Sequence, residues 1–553
     1  MQRLTVRSSL LLLLVSGSAP ALAQTDPAQR VILERIDQLR DVGELTIRNQ
    51  WVATRNAVIQ LYESRNYTRA WTDTGAIEQL HRAVKDMWLD GLDPADYHLE
   101  ALQQLWRELE SGADAETLAE FDILATDALG RIIYHCLFGK VDPESLDPHW
   151  NLTLQLEGVE PGAYLQEIID SGELYERVED ERPDTPFYTG LKAALAEYRE
   201  IQAAGGWPTY PDGPSLEVGA SDSRVPTLRR QLSVMGDYDG PPSASTVYDE
   251  ELEGAVKLFQ LRHNLPTTGL VGSMTRAALS VPVEKRIDHI RVNLERGRWV
   301  LHDLANKFLV VNIAAFEAYL VDNGRETWRT RVQVGRTYRK TPIFKSQIRY
   351  MDVNPTWTVP RTILERDILP RVKEDPSYLE SRGLKVLDRN GDEVDPATVD
   401  WARYSTAAGF PYMIRQGPGP RNALGRIKFM FPNQYAVYLH DTPSRQLFAR
   451  AERTFSSGCV RVEHPFELAE LLMDDPEQWS QQRFLEIRDS GETTSVFLTE
   501  RMPVLLLYWT AEAGLDDYVH FRTDVYERDG PILERLNSEF QIRDLHEEAP
   551  SAQ

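Results

Sequence analysis

The sequence predicts an α+β multidomain protein, helical in its first half and mostly β in its second. Three observations carry that prediction. Apolar residues recur at three- and four-residue spacing from about residue 28 to 204. A Gly/Pro-rich break and a second, shorter helical unit follow. Around residue 308 the period becomes that of strands, with an Asn-Gly pair between two β-rich runs. A length of 553 residues agrees with three or four domains at ~150 residues each. Hydrophobic residues at 42% and charged residues at 26% exclude wholesale disorder.

Residues 1–23 read as a cleavable secretory signal peptide. Arg3 and Arg7 give the positive start, Leu10 to Val15 the apolar stretch, and Ala21-Leu22-Ala23 a small-residue cleavage site. The alternative is an uncleaved anchor, although the apolar run is short for a bilayer. Cleavage removes two positive charges and no acid from −24, leaving −26. No other stretch approaches a membrane span, so the mature chain is expected in the periplasm or cell envelope without a stable membrane segment.

The helical region 28–204 has one face formed by Leu80, Ala83, Val84 and Trp88 and another to which Leu124, Ala128 and Ile132 contribute. Gly91-Leu92-Asp93-Pro94 and Gly139-Lys140-Val141-Asp142-Pro143 punctuate it. Residues 205–224, with Pro208, Pro211, Gly213 and Pro214, read as a linker. The unit 225–281 then offers three helices. Leu228, Leu232 and Met235 form one stripe and Leu252, Ala255, Val256 and Phe259 a second, while Ser273 is the expected N-cap of the third helix.

The β half, about residues 300–535, opens with Phe308–Ala315. Asn323-Gly324 between Ala318–Asp322 and Glu326–Val334 predicts a type I′ hairpin. Ile348–Val353, Arg426–Phe431, Ala436–His440, Thr494–Leu498 and Val504–Thr510 are the other strand candidates. Residues 361–415 interrupt them with helical and loop-like sequence and read as an inserted segment that caps a site. Residues 544–553 read as a polar tail.

Asp plus Glu outnumber Lys plus Arg by 85 to 61, which argues against a nucleic-acid partner. Two cysteines exclude a disulfide framework and a cysteine-cluster zinc site. The two thiols either pair, or stay apart with one as a nucleophile, and their surroundings favour the second case. Cys136 lies in the apolar helical pattern from Asp127 to Phe138, where a thiol is a small hydrophobe. Cys459 lies in the polar turn Ser456-Ser457-Gly458-Cys459-Val460-Arg461, beside a fixed cation.

A cysteine nucleophile needs a base. His440 closes the apolar run Tyr438-Leu439-His440-Asp441 just ahead of the cysteine turn and is the best candidate. Gly458 allows close backbone approach, so neighbouring N–H groups could face an oxyanion. Tyr438 shares the strand face of His440, as pocket lining or as core. His464-Pro465 opens an apolar-periodic helix and reads as a helix-entry pair.

The block from His440 to Arg461 resembles the active-site motif of the L,D-transpeptidases. The likeness extends to Asn354-Pro355-Thr356-Trp357-Thr358-Val359-Pro360 and to the stretch from Arg415 to Gly425. Arg291-Val292-Asn293-Leu294-Glu295-Arg296 and the stretch from Gly91 to Tyr97 resemble the large branch with a helical scaffold. The unit 225–281 resembles a three-helix peptidoglycan-binding module, either as a glycan binder or as a helical spacer.

The resemblance implies Cys459 as nucleophile and His440 as general base, with the Asp441 carbonyl orienting the imidazole. It gives the N–H groups of Gly458 and Cys459 to the oxyanion hole. Arg461 would steady the cysteine turn or attract a substrate carboxylate. Trp357, a core residue by its apolar strand, would by the resemblance lie near the substrate; Tyr438, Ser457 and Asn422 are the remaining substrate-side candidates, with Asn422 alternatively shaping its Gly/Pro-rich turn. Ser457 stands where smaller relatives often have a second histidine. The implied reaction releases terminal D-alanine from one peptidoglycan stem peptide through a cysteine thioester. An amine of a neighbouring stem then resolves it, joining diamino acid to diamino acid. Attack by water would make the chain an L,D-carboxypeptidase or cross-link hydrolase; a non-catalytic wall-binding scaffold is the other alternative. The resemblance implies no cofactor, no metal, and inhibition by carbapenems. It names no protein partner.

Overall fold

One long helix organises the first half. The helix α1 (Ala115–Phe138) is buried on almost every side from Ala119 to Cys136, as expected of a helix apolar around its circumference. Its few polar groups are satisfied internally. Asp122 accepts the Ala70 and Trp71 N–H groups and the Tyr62 hydroxyl. Asp127 accepts from Thr54, His98 and Arg131. Helices Pro27–Val42, Arg55–Ser64, Thr74–Asp86, Leu99–Glu110, Pro161–Asp170 and Leu174–Asp180 pack around or beside it. The structure is a computed structural model. It describes residues 26–540 and 542, apart from 155, 157, 515 and 517. The expected signal peptide (1–23) and tail (544–553) lie outside the described residues. No helix among the described residues is long and apolar enough to cross a membrane.

Leu80, Ala83 and Val84 are buried as the helical stripe predicts, but Trp88 is 51% exposed. The helix ends at Asp86 and tightens into a 3₁₀ turn, Met87–Asp90, which rotates Trp88 off the stripe. The Arg199 guanidinium lies over its ring at 3.5 Å.

The second unit has helices Val225–Val234, Glu250–Arg262 and Ser273–Leu279 around Leu228, Leu232, Val256 and Phe259. Gly272, not Ser273, occupies the cap position of the third helix, and no side chain caps it. The expected linker is not free chain. Trp207, Tyr210 and Leu216 pack on this core, and Leu216 bridges Val271. Arg262 Nε donates to the Val519 carbonyl at 3.1 Å, tying the unit to the C-terminal half.

Helix α2 (Val283–Val300) runs between the halves, against the scaffold helix Pro186–Ala203. Arg291 Nε donates to the Gly91 carbonyl at 2.8 Å, so two sequence blocks 200 residues apart meet there.

The β half is a closed barrel. Its strands are β1 (Lys307–Asn312), β2 (Glu317–Asp322), β3 (Arg325–Gly335), β4 (Phe344–Val353), β5 (Ile427–Met430), β6 (Leu439–His440), β7 (Thr454–Ser456), β8 (Val460–Val462) and β9 (Thr494–Leu507). They lie in the order β7-β3-β8-β6-β5-β4-β9-β1-β2, and a further β2–β3 pairing closes the ring. Closure removes free strand edges from most of the sheet. Leu309, Val311, Val332, Ile348, Phe429, Leu439, Val460, Val462 and Leu506 fill the interior, each stabilising by roughly 1.5–3 kcal/mol on burial. Helix α3 (Pro465–Met473) packs against β9.

Asn323 and Gly324 take φ of 48° and 74°, the turn the hairpin reading requires. Two strand candidates differ. Thr494–Leu498 and Val504–Thr510 belong to one strand, β9, with a register shift between Phe497 and Met502. Ala436–His440 shrinks to Leu439–His440, because Ala436 has φ of 54° and leaves the extended region. The inserted segment is more regular than its sequence suggests. It builds a small antiparallel sheet in the order Trp357–Thr358, Met413–Gln416, Leu384–Leu387, Glu393–Val394. Val359, Leu364, Ile368, Val386 and Ile414 belong to an apolar cluster of its own.

Candidate active site

Strands β6 and β8 lie side by side in parallel, with Leu439 opposite Val460 and His440 opposite Arg461. Leu439, Val460 and Val462 point into the barrel core. Alternation therefore puts Tyr438, His440, Cys459 and Arg461 together on the other face. The Val460 N–H donates to the Tyr438 carbonyl at 3.1 Å, and the Tyr438 and His440 rings stand 5.8 Å apart.

His440 Nδ1 lies 2.5 Å from the Asp441 carbonyl oxygen. A carbonyl only accepts, so Nδ1 carries the proton and Nε2 is left as the basic nitrogen. Burial, reinforced by the Arg461 charge, pushes the imidazole from 6.5 to about 3. Burial also raises the Cys459 thiol, opposed by the Tyr438 N–H, Arg461 and the Tyr438 hydroxyl. Both shifts favour a neutral thiol and a neutral imidazole over a thiolate–imidazolium pair. Neither cysteine is in a disulfide. Cys136 is buried in α1, where desolvation lifts its thiol to about 11.

The cysteine turn is held by its own side chains. Ser456 Oγ donates to the Cys459 carbonyl and accepts the Gly458 N–H at 3.1 Å. Gly458 has φ of 119°, a conformation that favours glycine. The Gly458 N–H is therefore engaged within the turn, contrary to its expected place in an oxyanion hole. Among the described residues the Cys459 N–H has no partner.

A second layer, not anticipated from sequence, grips the same turn. Thr341 Oγ donates to the Gly458 carbonyl at 2.9 Å and accepts the Gly335 N–H at 2.9 Å. The Thr341 N–H donates to the Tyr526 hydroxyl at 3.2 Å, and that hydroxyl donates to the Gly335 carbonyl at 2.5 Å. Thr341 is fully buried.

The other expected residues divide into two groups. Arg461 Nη1 donates to Gln333 Oε1 at 3.1 Å, while its buried Nε has no partner among the described residues. Trp357 is half-buried at the edge of the capping sheet, where its indole meets the Tyr438 hydroxyl. Ser457 is exposed and its Oγ accepts from Arg339 at 2.9 Å. These three border the cysteine face. The carboxylate of Asp441 instead supports the neighbouring loop. It accepts the Arg426 N–H at 2.8 Å and pairs with Arg445 at 3.2 Å. A Cβ at Gly425 (φ 64°) would lie 2.4 Å from Asp441 Oδ2, so only glycine fits there.

Asn422 is a correction. It is 1% exposed, and its amide donates to the Pro355 and Gly417 carbonyls while its oxygen accepts the Leu424 N–H. It shapes the loop from inside and has nothing left for a substrate. His464 pairs with Glu467 at the start of α3, as a helix-entry residue would. Gln333 was the one overlooked neighbour with a sequence signal, a polar residue between Val332 and Val334.

Residues 306–493 match a family model described as the L,D-transpeptidase catalytic domain. Residues 221–279 match one described as "Putative peptidoglycan binding domain", and residues 56–195 one described as a scaffold domain. A Haemophilus influenzae protein named "Putative L,D-transpeptidase" is 37% identical over 243 residues, which is 44% of this chain and 48% of the relative. The match spans about half of that relative's length. Two solved L,D-transpeptidase structures, from Xylanimonas cellulosilytica and Stackebrandtia nassauensis, are 15% and 14% identical. Each covers 54% of this chain, and 99% and 96% of the solved chain, with TM-scores of 0.18 and 0.22. Sequence matches and site geometry, not those superpositions, carry the assignment.

Proposed function

From a chain that belongs to the L,D-transpeptidase family through residues 306–493, we propose an acyltransferase that cross-links peptidoglycan stem peptides with Cys459 as its nucleophile. His440 Nε2 takes the thiol proton as Sγ attacks the carbonyl joining the diamino acid to terminal D-alanine. The Cys459 N–H, which has no partner among the described residues, donates to the developing oxyanion. The C–N bond breaks, the His440 proton passes to the leaving amine, and D-alanine departs from a thioester. An acceptor amine on a second stem then attacks the thioester and loses its proton to His440. The thiolate released recovers that proton.

The observation that supports this reading most directly is His440 itself. It is a buried neutral imidazole, with Nδ1–H fixed on the Asp441 carbonyl, on the same strand face as a free thiol. A base held this low accepts a proton only while negative charge grows beside it, so proton transfer and attack are coupled. The unit at 225–281 would hold the same polymer, and the reaction then belongs in the cell envelope, in keeping with the signal reading of residues 1–23.

Purified protein incubated with tetrapeptide muropeptides should yield cross-linked dimers together with free D-alanine. Monomeric tripeptide without dimers would assign the carboxypeptidase reaction instead. Activity that survives Cys459→Ala would leave only the scaffold reading. A carbapenem should add one covalent mass, mapped to Cys459.

A further inference from the structure

The capping segment meets the cysteine turn through a contact that has the chemistry of a ligand. Arg339, in the loop between β3 and β4, donates to Ser457 Oγ at 2.9 Å. The same guanidinium grips the Asp367 carboxylate with both prongs, at 2.5 and 3.2 Å. Asp367 belongs to the capping segment, in a π-helical turn, Leu364–Ile368, within the helical run from Arg361 to Glu374. Pro370 lacks the N–H that an α-helix would need there, and such turns concentrate at functional positions. The turn buries Leu364 and Ile368 in the segment's own core and leaves the Asp367 side chain 34% exposed. Asp367 is the one ion-pair partner of Arg339 among the described residues.

We propose that Arg339 is a specificity-determining receptor for a carboxylate of the donor stem peptide, which would replace its partner Asp367. This inference rests on the transpeptidase reading. A tetrapeptide donor carries one carboxylate on the terminal D-alanine. Where its third residue is a diaminodicarboxylic acid, it carries another on that side chain. The cysteine turn has a guanidinium on each side to match. Arg461 lies two residues past the cysteine with Gln333 as its one hydrogen-bond partner among the described residues, and Arg339 reaches Ser457, two residues before it. Exchange of Asp367 for a substrate carboxylate leaves Arg339 paired throughout. It therefore avoids stranding the charge of Arg339, whose side chain is only 12% exposed. The same exchange releases the capping segment as the donor enters, so that binding and opening are one event.

The full chain tests this by intact-mass acylation of Cys459 with three donors: the free tetrapeptide, its C-terminal amide, and its side-chain amide. In the parent protein, one amide should lose at least tenfold in acylation kcat/KM, and which one identifies the carboxylate. Arg339→Gln should abolish that discrimination, and Arg339→Lys, which keeps the charge but not the fork, should restore it only in part. Asp367→Asn should lower KM for the free acid by removing the competitor. Melting temperatures of the variants separate misfolding from lost recognition. Equal rates for all three donors in the parent overturn the inference, as does full discrimination retained by Arg339→Gln or an unchanged or raised KM in Asp367→Asn. Failure of every donor to acylate the parent would instead overturn the transpeptidase reading.

Discussion

Replacing Thr341 with valine isolates the support of the cysteine turn. The two side chains have nearly the same shape, so the buried packing survives and only the hydroxyl is lost. That hydroxyl is the partner of two buried backbone groups, the Gly335 N–H and the Gly458 carbonyl. Each buried group left unpaired costs about 1–3 kcal/mol, so the variant should lose roughly 3 kcal/mol. For a domain of this size that is about 6–12 °C in melting temperature. The Gly458 carbonyl is fixed next to the Cys459 N–H, so the turn should also lose its set. Carbapenem acylation of Cys459, followed by intact mass, should slow at least tenfold at a temperature where the variant is fully folded. Thr341→Ser keeps the hydroxyl and should recover most of the acylation rate. A valine variant that melts within a degree or two of the parent and acylates equally fast would refute the reasoning.

Three further outcomes are expected. Under native conditions a bulky thiol reagent should modify one cysteine, Cys459, and a second, Cys136, only after denaturation, because Cys136 is buried and its thiol lies near 11; peptide mapping decides. His440 titrates at about 3 when folded and near 6.5 when unfolded, so the unfolded chain binds the extra proton first. The stability it confers is complete above pH 6.5 and is lost as pH falls toward 3. Melting of His440→Asn should therefore depend less on pH between 7 and 4 than the parent, and native Cys459 alkylation should show no inflection near 6.5. Gly425→Ala places a methyl 2.4 Å from Asp441 Oδ2 at a φ of 64°; it should destabilise by about 1–3 kcal/mol, measured by denaturant unfolding.

What could be read from the sequence follows the range of the forces involved. The hairpin at Asn323-Gly324, the stripes of the three-helix unit and the strand ending in His440 are set by neighbours within a few residues. The contrast between Cys136 and Cys459 was visible for the same reason, since each thiol's surroundings are mostly local. Trp88 escaped because a 3₁₀ turn, begun one residue earlier at Met87, breaks the helical period. Asn422 looked available in a Gly/Pro-rich loop, yet three backbone groups consume its side chain from within that loop. Thr341, 118 residues before Cys459, reaches the cysteine turn, and Tyr526, 67 after it, braces Thr341; over such distances no pattern in one chain carries a signal. Arg339 and Asp367 are ordinary surface types until the capping sheet folds over the turn.

Closure of the barrel also sets when the protein can work. β9, its longest strand, joins β4 to β1, and Tyr526, still further along the chain, braces the Thr341 that holds the cysteine turn. Both emerge after Cys459 and His440 during synthesis. A chain stopped before about residue 500 would already carry Cys459 and His440, yet it would lack the stave that closes the barrel and the hydroxyl that braces the turn. The proposed nucleophile would thus be armed only once the chain has been made past Tyr526. On the reading proposed above, fragments that end before Tyr526 should fail to acylate at Cys459, whatever their scaffold retained.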